Sequence, residues 1–343
     1  MWSPSPKPTT SLSLLLTRPS PSLPPVLSLE TIPTPTTATL PAQHILISIS
    51  HSAIHPSDLL NISGSFPLTT FPITPGRDFS GTVTSPPSHP LYNKNVFGTS
   101  GNTQGFTMPG SHAEWITVHE DAVVEIPTGL TFTQAATIGV PFSTAALILQ
   151  KAGLEQTSTG FKEAAHDPKT IFILGASGSV GSAVSQLASA YGTRVLTGTR
   201  NASGDVNTVA DPTLSTLQTL TDGKGVDVVV DTVGDAALTS AAVKQLGKGG
   251  RVVFIAAPRG EAKALEIEML DFYRRGNEVI GVNSLSYGVE EMAALLKGLG
   301  PLFEEGKLKG PQEGTWTEVP FKEVLRGYEV AKERGKKVVL VMR

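Results

Sequence analysis

Apolar and polar positions alternate irregularly over the first 150 residues and then settle into a regular rhythm. In the first stretch, short β-branched runs sit between turn residues: HILISIS at 44–50, GTVT at 81–84 and WITV at 115–118. Pro, Ser and Thr punctuate them, and short strands at this spacing predict an irregular β-domain. From residue 170 the chain reads TIFIL, a continuous apolar run of buried-strand length, followed by apolar Val180, Ala183, Val184, Leu187 and Ala188. Those positions fall at i, i+3, i+4, i+7 and i+8, one face of a helix. Gly192 stands where a glycine ends a helix, and a second strand begins at Arg194. Further strand runs lie at 226–231, 251–256 and 278–282, with helical stretches between them. This alternation predicts an α/β fold with a parallel, doubly wound sheet. The last segment, 315–343, carries a helix pattern over 321–334 and a strand at 338–342.

Composition narrows the class. A chain of 343 residues is too long for one ordinary core, so two domains are expected. Hydrophobic residues at 39% and charged residues at 17% fit a globular protein. A net charge of −3 offers no field for nucleic acid. The longest early apolar patch, 12–16, is broken by Ser13 and is too short for a signal core or a membrane span. The expectation is a cytoplasmic protein with no nucleic-acid or membrane partner. Cysteine is absent, which excludes disulfides, thiolate nucleophiles and cysteine-bound zinc in this chain.

The chemistry is concentrated in IFILGASGSVG at 171–181, which runs strand, glycine turn, helix. That is the context of a dinucleotide fingerprint. Gly175 serves the tight turn, Gly178 lets backbone approach a pyrophosphate, and Gly181 permits close helix packing. Ala176, Ser177, Ser179 and Val180 complete the cradle at a helix start, where amides and the helix dipole favour an anion. An unoccupied structural turn is the plain alternative. An NAD site would place an acid at the end of the second strand. Here the strand ends Thr199-Arg200, and the first acid is Asp205. An arginine pairs with a 2′-phosphate that a carboxylate would repel, so NADPH is the expected cofactor. A solvated surface arginine is the other reading of Arg200.

Several segments then line up with one family. AIHPSD at 53–58, PGRDFSG at 75–81, GSHAEW at 110–115, AATIGVPFSTA at 135–145 and GASGSVG at 175–181 stand in the right order. Together they resemble the medium-chain dehydrogenase/reductase superfamily, in its zinc-free quinone-oxidoreductase and enoyl-reductase branch. The resemblance implies a GroES-like β-domain, 1–135 with 305–343, beside a Rossmann NADPH-binding domain, 136–304, with the active site in the cleft between them. It implies that Thr144 lies near the nicotinamide, although a helical threonine can simply bond its own backbone. It also implies that Val233, Gly234, Ala256 and Ala257 border the ribose and ring. Pairing through the sheet edge at 278–283 occurs in some relatives, so monomer and homodimer stay open.

The departures from the family matter too. Zinc-dependent relatives hold a catalytic metal with a cysteine, a histidine and a further cysteine or acid. Here His55 stands at the first position and Arg77 at the second, and arginine cannot ligate. No metal is expected. Candidates for polarising or protonating a substrate are His55, Ser57 and Asp58, while a turn contact for His55 and a structural role for Asp58, holding the turn or Arg77, are the alternatives. His112 is either a further residue of the cleft or, the commoner case, a surface histidine. The function implied is a zinc-independent, NADPH-dependent reductase of an enone, enoyl thioester or quinone. A non-redox biosynthetic cyclase and a low-turnover NADPH-binding sensor are the rivals. The loose motif matches of the first half fit a specialised small-molecule substrate in secondary metabolism, beside a biosynthetic enzyme such as a polyketide synthase.

Overall fold

The computed structural model describes residues 8–154, 169–256 and 262–342, which divide between two compact units. One unit runs through Val140 and takes in Leu285–Glu305 and Lys309 onward; the other comprises Pro141–Ser284 and Gly306–Leu308.

The first unit is built on strand His44–Ile54, whose Ile45, Ile47 and Ile49 are fully buried. It pairs antiparallel with three neighbours, Phe79–Ser85, Trp115–His119 and the late strand Val338–Val341. Asn95–Gly98, Val123–Glu125 and Thr317–Pro320 extend this to a seven-stranded sheet among the described residues. The apolar patch near the start becomes Thr10–Thr17, an antiparallel hairpin with Val26–Pro33. Helix Val289–Glu304 belongs here as well, because Val289 packs in the same core cluster as Ile45, Phe79 and Tyr328. The family resemblance implies a Rossmann domain running to 304, which would place this helix in the other unit. Its apolar face does not reveal which sheet it covers.

The second unit is a parallel sheet. Its six described strands run spatially in the order Val206–Asn207, Arg194–Thr199, Thr170–Leu174, Val226–Asp231, Leu246–Phe254, Glu278–Gly281. Numbered along the chain, that order is 3-2-1-4-5-6, the Rossmann arrangement. The order reverses beside Thr170–Leu174, and ligands bind outside the carboxyl ends of strands at such a switch point. The fifth strand begins at Leu246, not Arg251, because the glycines at 247, 249 and 250 hid its first half from a propensity reading. No helix among the described residues is long and apolar enough to cross a membrane.

Candidate active site

At the switch point, Gly175 leaves the first strand with φ of +79°, and a Cβ there would lie 2.5 Å from Thr232 Oγ1. Its N–H donates to Gly198 O at 3.0 Å, and Gly178 N–H donates back to Gly175 O at 2.9 Å, closing the turn. Helix Ser179–Ala190 starts from Gly178, and no acidic residue stands in its first turn to compete with an anion. The two later glycines differ sharply. A Cβ on Gly181 would lie 2.3 Å from Gly175 O and 2.9 Å from Ala176 Cα, so the helix is pressed onto the turn. A Cβ on Gly178 would meet only Gly175 O, at 3.2 Å, and otherwise face open space. Ser177 and Gly178 are exposed, Ser179 and Val180 half-buried. The turn is therefore closed on its protein side and open on the other, a cradle that fits a pyrophosphate.

The second strand ends at buried Thr199 and exposed Arg200. Thr199 Oγ1 donates to Asn201 O at 2.9 Å, fixing the exit of the chain. Asp205 is tied back onto the strand, its Oδ2 accepting from Thr197 N and Oγ1, each at 2.7 Å.

The third wall was read from the sequence only in part. Val233 and Gly234 follow strand Val226–Asp231, and Asp231 holds them: its Oδ1 accepts from Val233 N at 2.7 Å and Gly234 N at 3.1 Å, while Oδ2 accepts from Thr239 Oγ1 at 2.6 Å. Thr232 Oγ1 donates to Leu174 O at 2.8 Å, latching this loop to the end of the first strand. Asp231 is 2% exposed, and its part in shaping the loop was missed. The signal was available, since an acid ending an apolar strand must find donors. Ala256 is half-buried just beyond the fifth strand, whereas Ala257 lies outside the described residues. In the same unit, the buried Thr144 hydroxyl has no hydrogen-bond partner among the described residues, not even its own helix backbone.

In the first unit the candidates form a buried polar cluster. His55 caps helix Pro56–Ile62, its N–H donating to Asp58 Oδ2 at 2.7 Å. Asp58 thus holds the turn. The His55 ring is 2% exposed, with Nε2 2.7 Å from Asp78 Oδ2 and Trp316 edge-on at 5.8 Å. Asp78 Oδ2 also accepts from Val140 N at 2.7 Å. Arg77, 4% exposed, donates from Nε to Ser100 Oγ at 2.7 Å, from Nη1 to Ser57 Oγ at 3.1 Å and from Nη2 to Gly101 O at 3.4 Å. Burial pulls the guanidinium below its ordinary pKa, and Asp58 and Asp78 pull it back up. The sequence offered Arg77 only as a non-ligand and as an arginine for Asp58 to hold, and no direct Asp58–Arg77 bond forms among the described residues. No group of three or more His, Cys, Asp or Glu side chains suited to a metal occurs among the described residues. With the His55 ring paired to Asp78 and a fixed cation alongside, this cluster does not fit a catalytic zinc.

His112 is not at the surface. It is fully buried, with Nε2 3.0 Å from Ala53 O and Nδ1 2.8 Å from Tyr328 Oη. A carbonyl can only accept, so Nε2 carries the proton and the tyrosine donates to Nδ1. Burial lowers the His112 pKa and raises that of Tyr328. A strand-flanking histidine looks the same in sequence whichever face it occupies; its tyrosine partner is 216 residues away.

Comparison with known proteins agrees with this layout. Residues 41–128 match the alcohol dehydrogenase GroES-like domain, and 179–298 match the zinc-binding dehydrogenase domain. A zinc-type alcohol dehydrogenase-like protein of Schizosaccharomyces pombe is 43% identical over 265 residues, 77% of each chain. The quinone oxidoreductase of Sus scrofa is 28% identical over 281 residues, covering 77% of this chain and 79% of that one. Among solved structures, an NAD-dependent alcohol dehydrogenase superposes with a TM-score of 0.77 at 22% identity, over 97% of this chain and 100% of that one.

Proposed function

The chain belongs to the medium-chain dehydrogenase/reductase superfamily, in its quinone-oxidoreductase branch, and from that premise we propose that it is an NADPH-dependent, zinc-independent reductase of small conjugated carbonyl compounds. As an oxidoreductase of this superfamily it works with a nicotinamide cofactor on a small-molecule substrate. The observation that carries the reading is the half-open glycine turn, whose packed side is Gly181 and whose open side is Gly178.

On this reading the amides of Ala176 to Val180 hold the pyrophosphate, and Arg200 pairs with the 2′-phosphate through its planar fork. The loop Val233–Gly234, set by Asp231, borders the ribose with Ala256 and Ala257. The unpartnered Thr144 hydroxyl takes its missing hydrogen bond from the nicotinamide end, since a buried hydroxyl left unpaired is costly. When bound, NADPH supplies hydride to the electron-poor β-carbon of an enone, enoyl thioester or quinone. The protein's share is orientation and electrostatic help at the carbonyl oxygen. The pairing of His55 with Asp78 and the guanidinium of Arg77 support this zinc-free reading, against the zinc in the names of the family model and of the Schizosaccharomyces pombe relative.

Absorbance at 340 nm, followed with NADPH against a panel of quinones, enones and enoyl thioesters, tests the assignment. Cofactor oxidation dependent on one of these acceptors supports it. Product formed without cofactor oxidation would establish a non-redox cyclase instead, and tight NADPH binding with no turnover on any acceptor would establish a sensor.

A further inference from the structure

We propose that Arg77 is a positioning residue, whose buried guanidinium turns the Ser57 hydroxyl into an outward-facing, polarised hydrogen-bond donor for the carbonyl oxygen of the substrate. The proposal deepens the reductase reading and rests on it.

A guanidinium has N–H donors and no acceptor. Because Arg77 Nη1 reaches Ser57 Oγ at 3.1 Å, that oxygen must accept, and its own proton is left to point elsewhere. No acceptor for that proton occurs among the described residues, and Ser57 is half-buried, so the hydroxyl has a surface to serve. Arg77 cannot follow a substrate outward. Ser100 and Gly101 hold its other nitrogens, and the ring of Phe106 lies 5.7 Å from its guanidinium carbon. Burial lowers its pKa from the usual arginine value, and Asp58 and Asp78 offset part of that.

The other two candidates lack these properties. The His55 Nε2 is spent on Asp78 in a nearly inaccessible position. Asp58 is 1% exposed and spends Oδ2 on the His55 amide. Ser57 alone of the three combines an available proton, partial exposure and a fixed positive charge behind it. A hydrogen bond backed by a cation strengthens as negative charge builds on its acceptor.

The step balances without an added oxidant. Bound NADPH would supply hydride to the β-carbon; the carbon–carbon π pair would then form the new double bond between the α-carbon and the carbonyl carbon, and the carbonyl π pair would move onto oxygen. Ser57 O–H donates to that enolate oxygen without transferring its proton. Water would then protonate the α-carbon as the carbonyl re-forms, leaving hydroxide to the solvent and giving the saturated carbonyl compound and NADP⁺.

The test compares Ser57→Ala, Ser57→Thr, Ser57→Val, Arg77→Lys and the Ser57→Ala/Arg77→Lys double variant. Turnover is measured with 2-cyclohexen-1-one and 1,4-naphthoquinone, and NADPH affinity separately by fluorescence titration. Ser57→Ala and Ser57→Val should lose about 10²–10³-fold in kcat, the scale of one oxyanion donor, with NADPH affinity unchanged. Ser57→Thr, the same shape as valine with a hydroxyl, should recover most of the loss. Arg77→Lys, which keeps the charge and loses the fork, should lower kcat, and the double variant should match Ser57→Ala within about threefold. Equal turnover in the threonine and valine variants overturns the proposal even if Arg77→Lys fails to fold, as do fully multiplicative losses in the double variant. Failure of the underlying reading looks different: the parent enzyme would turn over neither acceptor, and the proposal would fall with it.

Discussion

Replacing each of two glycines in the 175–181 turn by alanine separates a cofactor role from a packing role. At Gly181 the new methyl would stand 2.3 Å from Gly175 O, 2.8 Å from Gly175 C and 2.9 Å from Ala176 Cα, all backbone atoms that cannot rotate away. Overpacking of this kind costs about 1–3 kcal/mol, and the ~1 kcal/mol that alanine gains over glycine inside a helix only partly offsets it. Gly181→Ala should therefore lower unfolding free energy measurably. At Gly178 the backbone sits at φ −71° and ψ 167°, open to any residue, and the one neighbour is 3.2 Å away. Alanine there caps the helix less well and orders the unfolded chain slightly, so stability should stay within about 1 kcal/mol of the parent. Yet its methyl would occupy the open side of the cradle, where an anion must approach the amides. Loss of one charge-assisted hydrogen bond, about 1.5–3 kcal/mol, corresponds to a roughly 10–150-fold weaker Kd for NADPH. Urea unfolding and NADPH fluorescence titration on both variants decide the matter. NADPH binding by Gly178→Ala within about threefold of the parent would show that no phosphate sits on this turn, whatever the stability data say.

Four further outcomes follow from the same geometry. NADPH should bind at least about tenfold more tightly than NADH, and Arg200→Ala should remove most of that gap, about 1.5–3 kcal/mol; equal affinity in the parent would refute the 2′-phosphate assignment. Asp231→Ala strands the N–H groups of Val233 and Gly234 and should cost about 2–3 kcal/mol in urea unfolding while weakening NADPH; an unchanged melt would mean the loop holds itself. The lowered folded-state pKa of His112 means that unfolded chains take up its proton first as pH falls. Its contribution to stability is complete above about pH 6.5 and is lost as pH drops toward the lowered folded value, by up to about 1.4 kcal/mol per pH unit; His112→Gln should flatten that slope between pH 7 and 5, and an unaltered slope refutes the assignment. Half-buried His51 is displaced in the same direction, so some slope should persist in the variant. Finally, dialysis against 1,10-phenanthroline should leave turnover unchanged, and a loss restored by added zinc would overturn the metal-free reading.

The Rossmann unit was legible because its signals are local. Strands Thr170–Leu174 and Val226–Asp231 coincide with apolar runs visible to the residue, and the helix between strands shows its buried face at regular spacing. The glycine turn was legible for the same reason, since strand, turn and helix are contiguous. Elsewhere the deciding contacts are remote in sequence. Helix Val289–Glu304 has an unambiguous apolar face, but only the fold reveals that Val289 joins the core of Ile45 and Phe79. His112 looked like a surface residue because its tyrosine lies near the other end of the chain.

Arg77 is the most instructive case. Read as a letter, it excluded a metal, because guanidinium cannot ligate. In the fold it is buried and forms no ion pair among the described residues, although Asp58 and Asp78, at 1% and 0% exposure, act on its charge through space. Burying a charged group without compensation costs several kcal/mol. Here the guanidinium is met by hydrogen bonds to three neutral oxygens and, through space, by the two carboxylates, which offset only part of the effect of burial. Held by Ser57, Ser100 and Gly101, the guanidinium can polarise a hydroxyl but cannot follow it outward.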